Sequence, residues 1–160
     1  KMNKKFCSFV ATQPKGKRVQ FVPKLNKIEK VDCGGKLFNN INKNITGRGD
    51  QHWKYKFLKN YRFNIAFENE IGNGYVSEKI IQPMSVNSIP IYWGSNMAKL
   101  DFNESSFIFA NDFDSEEKLI EYIIELNNNQ DLYYQKLNEP WFKNGKVPES
   151  FLPELVPQPF

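Results

Sequence analysis

Asn69, Tyr75, Glu78 and Lys79 fall within one short stretch of the chain, and their types suit one kind of ligand. A helix amino terminus favours an anion, because its first N–H groups are unsatisfied and its dipole is positive there. A lysine at that end suits a phosphate. A carboxylate can accept from the vicinal hydroxyls of a ribose, and an aromatic face can stack on a base. Each residue also has a plainer role open to it. Glu78 can complement the helix dipole, Lys79 can be a solvated surface charge, and Tyr75 can be a packing aromatic. Their convergence at one end of one structural unit points to a nucleotide or nucleotide-sugar site.

The elements that must position them lie between Tyr61 and Gly94, YRFNIAFENEIGNGYVSEKIIQPMSVNSIPIYWG. Arg62 to Phe67 alternates and is rich in β-formers, which predicts a buried strand. Glu68 to Tyr75 has the glycines and asparagines of a loop at the strand's carboxyl end. Ser77 is expected to cap the next helix, with Glu78 and Lys79 in its first turn. Ser88 to Trp93 predicts a second strand, closed by Gly94. Strand, crossover helix and strand in so few residues is the βαβ unit of a parallel sheet. Ligands of such sheets sit beyond the carboxyl ends of the strands.

The rest of the chain bounds the answer. One hundred and sixty residues with 40% hydrophobic content can bury one sizeable core. The net charge of +4 is mild, and no basic stripe interleaved with stacking aromatics occurs, so nucleic acid is not an expected partner. Cys7 and Cys33 do not make a disulfide framework. No apolar run approaches membrane-spanning length and no signal peptide opens the chain, so membrane association is expected only through segments outside this sequence. His52 is the sole histidine and is expected at the surface. No Cys/His cluster has metal-ligand spacing, so no metal is expected.

Further strands are expected at Lys5 to Thr12, Lys30 to Cys33 and Ser106 to Ala110. A short helix after Arg18 should bury Val19, Val22 and Leu25 despite Pro23. Leu37 to Asp50 reads as a loop, and Gln51 to Asn60 as a helix. Asp114, with Glu117 three residues on, forms a capping-box-like pattern before a helix that buries Leu119, Tyr122, Ile123 and Leu126. Gln130 to Asn138 is a further helix with Leu132, Tyr133 and Leu137 inward. Prolines 148, 153, 157 and 159 predict an extended tail from Lys143 to Phe160.

The run FENEIGNGYVSEK followed by IPIYWGS resembles the donor-binding motif of the α1,3-fucosyltransferases, especially the bacterial ones. The similarity continues through NDFDSEEKLIEYI and YQKLNEPWF. The resemblance implies an open, mostly parallel, Rossmann-like α/β sheet, over residues 1–142, forming the donor half of a two-domain GT-B glycosyltransferase. It implies GDP-fucose as donor, an N-acetylglucosamine or glucose hydroxyl of a glycan as acceptor, and inversion at the fucose anomeric carbon. By the same resemblance no metal cofactor is required. An arginine that contacts the donor diphosphate follows the first strand and loop in this family. That role falls on Arg18, with Lys17 as the neighbouring candidate, and a bidentate guanidinium fits a diphosphate better than an ammonium. Asn69, Tyr75, Glu78 and Lys79 complete the donor-binding set, and Glu68 is either a member or an orienting partner of the strand.

The preceding acceptor domain of the family, and with it the catalytic base, is expected outside this chain, which alone should not transfer fucose. A non-catalytic nucleotide-sugar-binding module, or a GT-B enzyme for another nucleotide sugar, is the competing expectation. The bacterial type implies the cytoplasm or the periphery of the inner membrane; a eukaryotic protein would belong in the Golgi lumen. Asp112 and Asp114 match the Asp-X-Asp pattern that holds a metal in the other major glycosyltransferase architecture, but capping explains them better. Glu70 and Glu78 have the spacing of a pair found in many retaining GT-B enzymes; here it reads as coincidence, because the fucosyltransferase motif is not acid-specific at the first position.

Overall fold

The computed structural model of the chain describes residues 3–47, 49, 52–72 and 76–148. Five strands, β1 (Lys5–Phe9), β2 (Val31–Cys33), β3 (Tyr61–Phe67), β4 (Ile89–Trp93) and β5 (Ile108–Phe109), form one sheet in the order β2-β1-β3-β4-β5. Each of these pairings is parallel, so the expected mostly parallel sheet is parallel throughout its five strands. The helices are α1 (Arg18–Ile28), α2 (Trp53–Leu58), α3 (Ile81–Met84), α4 (Ala98–Asp101), α5 (Glu116–Asn128) and α6 (Gln130–Leu137). None of the described helices is long and apolar enough to cross a membrane.

The strand order decides where the helices go. The chain leaves β1 for β2 in one direction and leaves β3 for β4 in the other. Right-handed crossovers therefore put α1 and α3 on opposite faces of the sheet. Register confirms the division: Ile65, Ile91 and Ile108 pair across three strands and face the layer of α1 and α5, while Ala66, Tyr92 and Phe109 pair one residue on and face the other layer. β3 is covered on both sides, so every residue of YRFNIAF except Arg62 is buried, Asn64 included.

On the first face α1 buries Phe21, Val22 and Leu25. Val19, expected inward, is 39% exposed, and Phe21 takes the contact by stacking on Phe67 at 5.1 Å between ring centroids. From α5 come Leu119, Ile120, Ile123 and Leu126, with Tyr122 only partly buried. In α6 the buried residue is Tyr133, whose hydroxyl donates to the Arg62 carbonyl at 2.8 Å; Leu132 is exposed and Leu137 partly buried. On the second face Ile80, Ile81 and Met84 pack with Tyr92, Ala98, Phe102, Phe107, Phe109 and Phe142. His52, expected at the surface, is buried at the entry to α2.

Three boundaries differ from the sequence expectation for local reasons. β1 stops at Phe9 because the chain turns to set Ala11 against Gly35, where the Leu37 N–H donates to the Ala11 carbonyl at 2.9 Å. A Cβ on Gly35 would lie 2.6 Å from that carbonyl oxygen, so only glycine allows the approach. β5 shrinks to Ile108–Phe109 because Glu104–Ser106 forms a 3-10 turn in which the Asn103 side chain accepts from the Ser105 N–H. Of the expected tail, Lys143–Gly145 is a 3-10 turn, and residues 149–160 lie outside the described residues.

The cap of α5 is Ser115 rather than Asp114. The Ser115 hydroxyl oxygen accepts from the Lys118 N–H at 3.1 Å, with Glu116 and Glu117 in the first turn. Serine reaches the third N–H as well as aspartate does, so the sequence carried two adjacent caps and the backbone chose the later one. Asp112 is ion-paired with Lys99 at 2.6 Å. Ser115→Ala is therefore expected to lower stability by about 1 kcal/mol, and Asp114→Ala to leave it within about 0.5 kcal/mol, as read from urea unfolding midpoints at constant m-value.

Candidate functional site

Glu68 follows the last residue of β3, and its N–H still donates to the Trp93 carbonyl at 2.9 Å, so its side chain is fixed to the sheet. That side chain is 3% exposed. A buried carboxylate is costly unless donors surround it. Here Oε2 accepts from the Ser77 N–H at 2.8 Å and the Tyr92 hydroxyl at 2.9 Å, and the Ser77 hydroxyl reaches both carboxylate oxygens at 2.8 and 2.9 Å. Lys79 Nζ stands 3.6 Å from Oε1. Glu68 thus ties the end of β3 to Ser77 and to Tyr92 of β4.

Ser77 does not cap the helix as expected. Its hydroxyl is committed to Glu68, and its contact with the Lys79 N–H is a longer 3.3 Å. Residues Glu78 to Ile80 form a turn, and α3 contains only Ile81–Met84. The Glu78 carbonyl accepts from the N–H groups of Ile81 at 3.1 Å and Gln82 at 3.0 Å, while its side chain points to solvent. Lys79 is one-third exposed. The Glu78–Lys79 pair therefore sits in a turn ahead of a short helix, not inside its first turn.

Gly94 makes the Glu68 arrangement sterically possible. A Cβ there would lie 2.5 Å from the Tyr92 hydroxyl oxygen and 2.9 Å from Glu68 Cγ.

Arg18 opens α1 and is buried at 3% exposure, so it is no solvated charge. Its Nη2 donates to the Phe67 carbonyl at 2.7 Å and its Nη1 reaches the Gln13 carbonyl at 3.4 Å. Its Nε is buried without a hydrogen-bond partner among the described residues. Burial pulls the guanidinium pKa down from its ordinary value and the Glu68 charge opposes that, yet arginine stays cationic in proteins. The loop before it is shaped by Gly16, whose φ is +71° and where a Cβ would meet the Asn69 carbonyl oxygen at 2.6 Å. Gly16 thereby lets the loop after β1 rest against the loop after β3.

Arg18 and Lys79 come together at a crevice of about 20 Å³, also lined by Lys54, Asn64 and the ends of β1 and β3. β1 and β3 are the adjacent strands whose crossovers depart in opposite directions, which is the topological switch point where open α/β sheets bind ligands. Lys17 is exposed and turned to a different cavity, of about 290 Å³, with Phe21, Trp93, Phe113 and Asp114. Asn69 is exposed beyond β3. Tyr75 lies outside the described residues. Sequence reasoning did not single out Lys54, which lines this crevice from α2 with no motif around it, and it misassigned Ser77, whose spacing from Glu68 is as compatible with a carboxylate contact as with a cap. No group of three or more His, Cys, Asp or Glu that could hold a metal occurs among the described residues.

Tyr92→Phe removes one donor from a buried carboxylate and is expected to cost about 1.5–3 kcal/mol. Gly94→Ala should act on the same contact, so the double variant is expected to lose less than the sum of the singles, measured by a urea double-mutant cycle.

Comparison with known proteins fits this geometry. The family model for the carboxyl-terminal region of glycosyltransferase family 10 (fucosyltransferase) matches residues 1–152. An α-(1,3)-fucosyltransferase of Helicobacter pylori is 40% identical over 135 residues, covering 84% of this chain and 27% of that protein. A GDP-fucose protein O-fucosyltransferase 3 of Danio rerio is 29% identical over 153 residues, 92% of this chain and 33% of that protein. Crystal structures of an α1,3-fucosyltransferase with GDP-fucose and with GDP superpose with TM-scores of 0.78 and 0.79 at 40% identity, each covering 86% of this chain and 39% of the other. The chain thus spans about a third or less of the length of these two curated relatives. It belongs to glycosyltransferase family 10, the fucosyltransferases, and corresponds to the carboxyl-terminal region of that family.

Proposed function

We propose that the chain is the donor-binding half of an inverting fucosyltransferase that takes fucose from GDP-fucose to an N-acetylglucosamine or glucose hydroxyl of a glycan. The observation that carries this reading is the meeting of Arg18 and Lys79 at the β1/β3 switch point, from two different elements and beside a carboxylate network that fixes one of them. Support also comes from the solved relatives, whose structures contain GDP-fucose and GDP.

In direct displacement the acceptor oxygen attacks the fucose anomeric carbon, the bond to the diphosphate breaks, and GDP leaves with the bonding pair. The protein's task on this side is to stabilise the charge that grows on the leaving diphosphate. Arg18 offers a guanidinium held by the Phe67 carbonyl, its buried Nε without a hydrogen-bond partner among the described residues, and Lys79 offers an ammonium held by Glu68. Glu78, exposed beside them, accepts from the ribose hydroxyls, and Asn69, exposed beyond β3, lines the nucleotide and fucose pocket. Tyr75, outside the described residues, is assigned to the donor by its family motif alone. These cations take the charge-neutralising part that a divalent metal plays elsewhere.

Lys79 is a better probe than Arg18, because Arg18 also ties α1 to β3 through the Phe67 carbonyl. Lys79→Ala is expected to weaken GDP binding by about 1.5–3 kcal/mol, with Tyr92 and Ser77 still bonded to Glu68 and the fold kept. Glu78→Ala should also weaken GDP but have less effect on free pyrophosphate. Isothermal titration of both variants tests the assignment, and unchanged GDP affinity in the two would remove it.

The metal-free reading has its own test. GDP affinity measured in EDTA should equal that measured with added Mg²⁺ or Mn²⁺. A large loss of affinity in chelator would return Asp112 and Asp114 to consideration as metal ligands.

A further inference from the structure

Lys79 is attracted by Glu68 without being hydrogen-bonded to it. Its Nζ stands 3.6 Å from Glu68 Oε1, whereas a charge-assisted N–H···O bond closes to about 2.7–2.9 Å. The carboxylate therefore places the ammonium but takes none of its N–H groups. A carboxylate at 3% exposure would gain by closing on so near a cation, so the gap needs a cause.

The short donors supply it. The Tyr92 hydroxyl donates to Oε2 at 2.9 Å, and the Ser77 N–H reaches the same oxygen at 2.8 Å. The Ser77 hydroxyl lies 2.8 Å from Oε1 and 2.9 Å from Oε2. The backbone holds this arrangement in place. The Glu68 N–H donates to the Trp93 carbonyl at 2.9 Å, and a Cβ on Gly94 would meet both the Tyr92 hydroxyl and Glu68 Cγ. Tyr92 is fully buried, with its ring stacked on Phe109 at 6.1 Å and edge-on to Phe107 at 6.3 Å between centroids. So packed, the ring holds its hydroxyl on Glu68 and cannot itself touch a bound nucleotide.

We propose that Tyr92 is a positioning residue for the donor diphosphate: its hydroxyl occupies Glu68 Oε2 and keeps the carboxylate from closing on Lys79, whose ammonium stays available to the phosphates. This inference rests on the GDP-binding reading above. Without the hydroxyl, Oε2 is a buried acceptor short of one donor, which is costly to leave unfilled. Lys79, on a flexible stem, is the cation able to fill it. Arg18 is not, because its guanidinium is bonded to the Phe67 carbonyl at 2.7 Å. Carboxylate and diphosphate then compete for one ammonium, and the nucleotide loses.

The test titrates GDP and guanosine, which lacks phosphates, into the parent chain and its Tyr92→Phe, Lys79→Ala and doubly substituted forms. Tyr92→Phe keeps the packed ring, and should weaken GDP about tenfold while leaving guanosine unchanged. Partial unfolding weakens both ligands by the same factor, so the GDP-to-guanosine ratio reports the phosphate contacts alone. With Lys79→Ala already present, adding Tyr92→Phe should not move that ratio further. Should Tyr92→Phe fail to fold, Ser77→Ala, which removes the hydroxyl donor of Oε1, carries the same two expectations. An unchanged ratio in the folded variant, or an equal fall with and without Lys79, overturns the positioning role; impaired GDP binding by Lys79→Ala alone then spares the donor site. A parent chain that binds no GDP overturns the donor-site reading, and this inference with it.

Discussion

The buried carboxylate of Glu68 is the constraint on which the site depends. An ionised side chain at 3% exposure is tolerable only when its lone pairs are filled. They are filled by residues from two other segments: Ser77 from the turn before α3, and Tyr92 from β4. Ser77 is therefore held at the end of β3. That placement sets Lys79 beside the crevice and leaves Glu78 facing solvent one residue before it. The Tyr92 hydroxyl that serves Glu68 leaves no room for a side chain at Gly94, and the carboxylate spends the serine hydroxyl that would otherwise start the helix. One carboxylate thus decides the loop, the turn and the strand end together.

The second constraint is topological. A sheet in the order β2-β1-β3-β4-β5 parts its crossovers between β1 and β3, opening a place where backbone from both layers diverges. Arg18 enters from the layer of α1, whereas Lys54 and Lys79 enter from the opposite layer. Cations from both sides of one sheet can approach a common point only there, since anywhere else β-strands intervene. Gly16 contributes by letting the loop of Arg18 lie on the carbonyl of Asn69. Bringing positive charges together costs repulsion in the empty site, and Glu68 offsets part of it.

The sequence made the central strand, the loop and the following strand legible, because composition there obeys simple rules: β-branched and aromatic runs for strands, glycine and asparagine for the turn. Arg18 entered beside Lys79 only through the family resemblance. It was less informative where two residues could perform one task. Ser77 can cap a helix or bind a carboxylate, and only the position of Glu68 in space decides between them. Asp114 and Ser115 are adjacent caps, and Val19 and Phe21 compete for the inward side of α1. The larger ring wins by stacking on Phe67. Lys54 was invisible for another reason: Arg18 and Lys79, the other cations lining the crevice, are more than twenty residues away on either side, and only the crossover brings the three to one place. Tyr75 lies outside the described residues and the structure adds nothing about it.

The way Glu68 is bonded also bears on where the base of the proposed reaction comes from. A general base needs a free lone pair within reach of the acceptor hydroxyl. Glu68 is the carboxylate fixed nearest the cations, but the Ser77 N–H, the Ser77 hydroxyl and the Tyr92 hydroxyl already donate to it, with Lys79 beside it. Taking a proton there would break those bonds inside the protein and leave buried donors unpaired. Inversion, moreover, requires the acceptor to approach from the side of the sugar opposite the diphosphate. The cations described here all lie on the diphosphate side, at the carboxyl edge of the sheet. In the proposed reaction this half therefore holds and discharges the leaving group, and the proton of the acceptor must be taken by a group on the far side of the fucose.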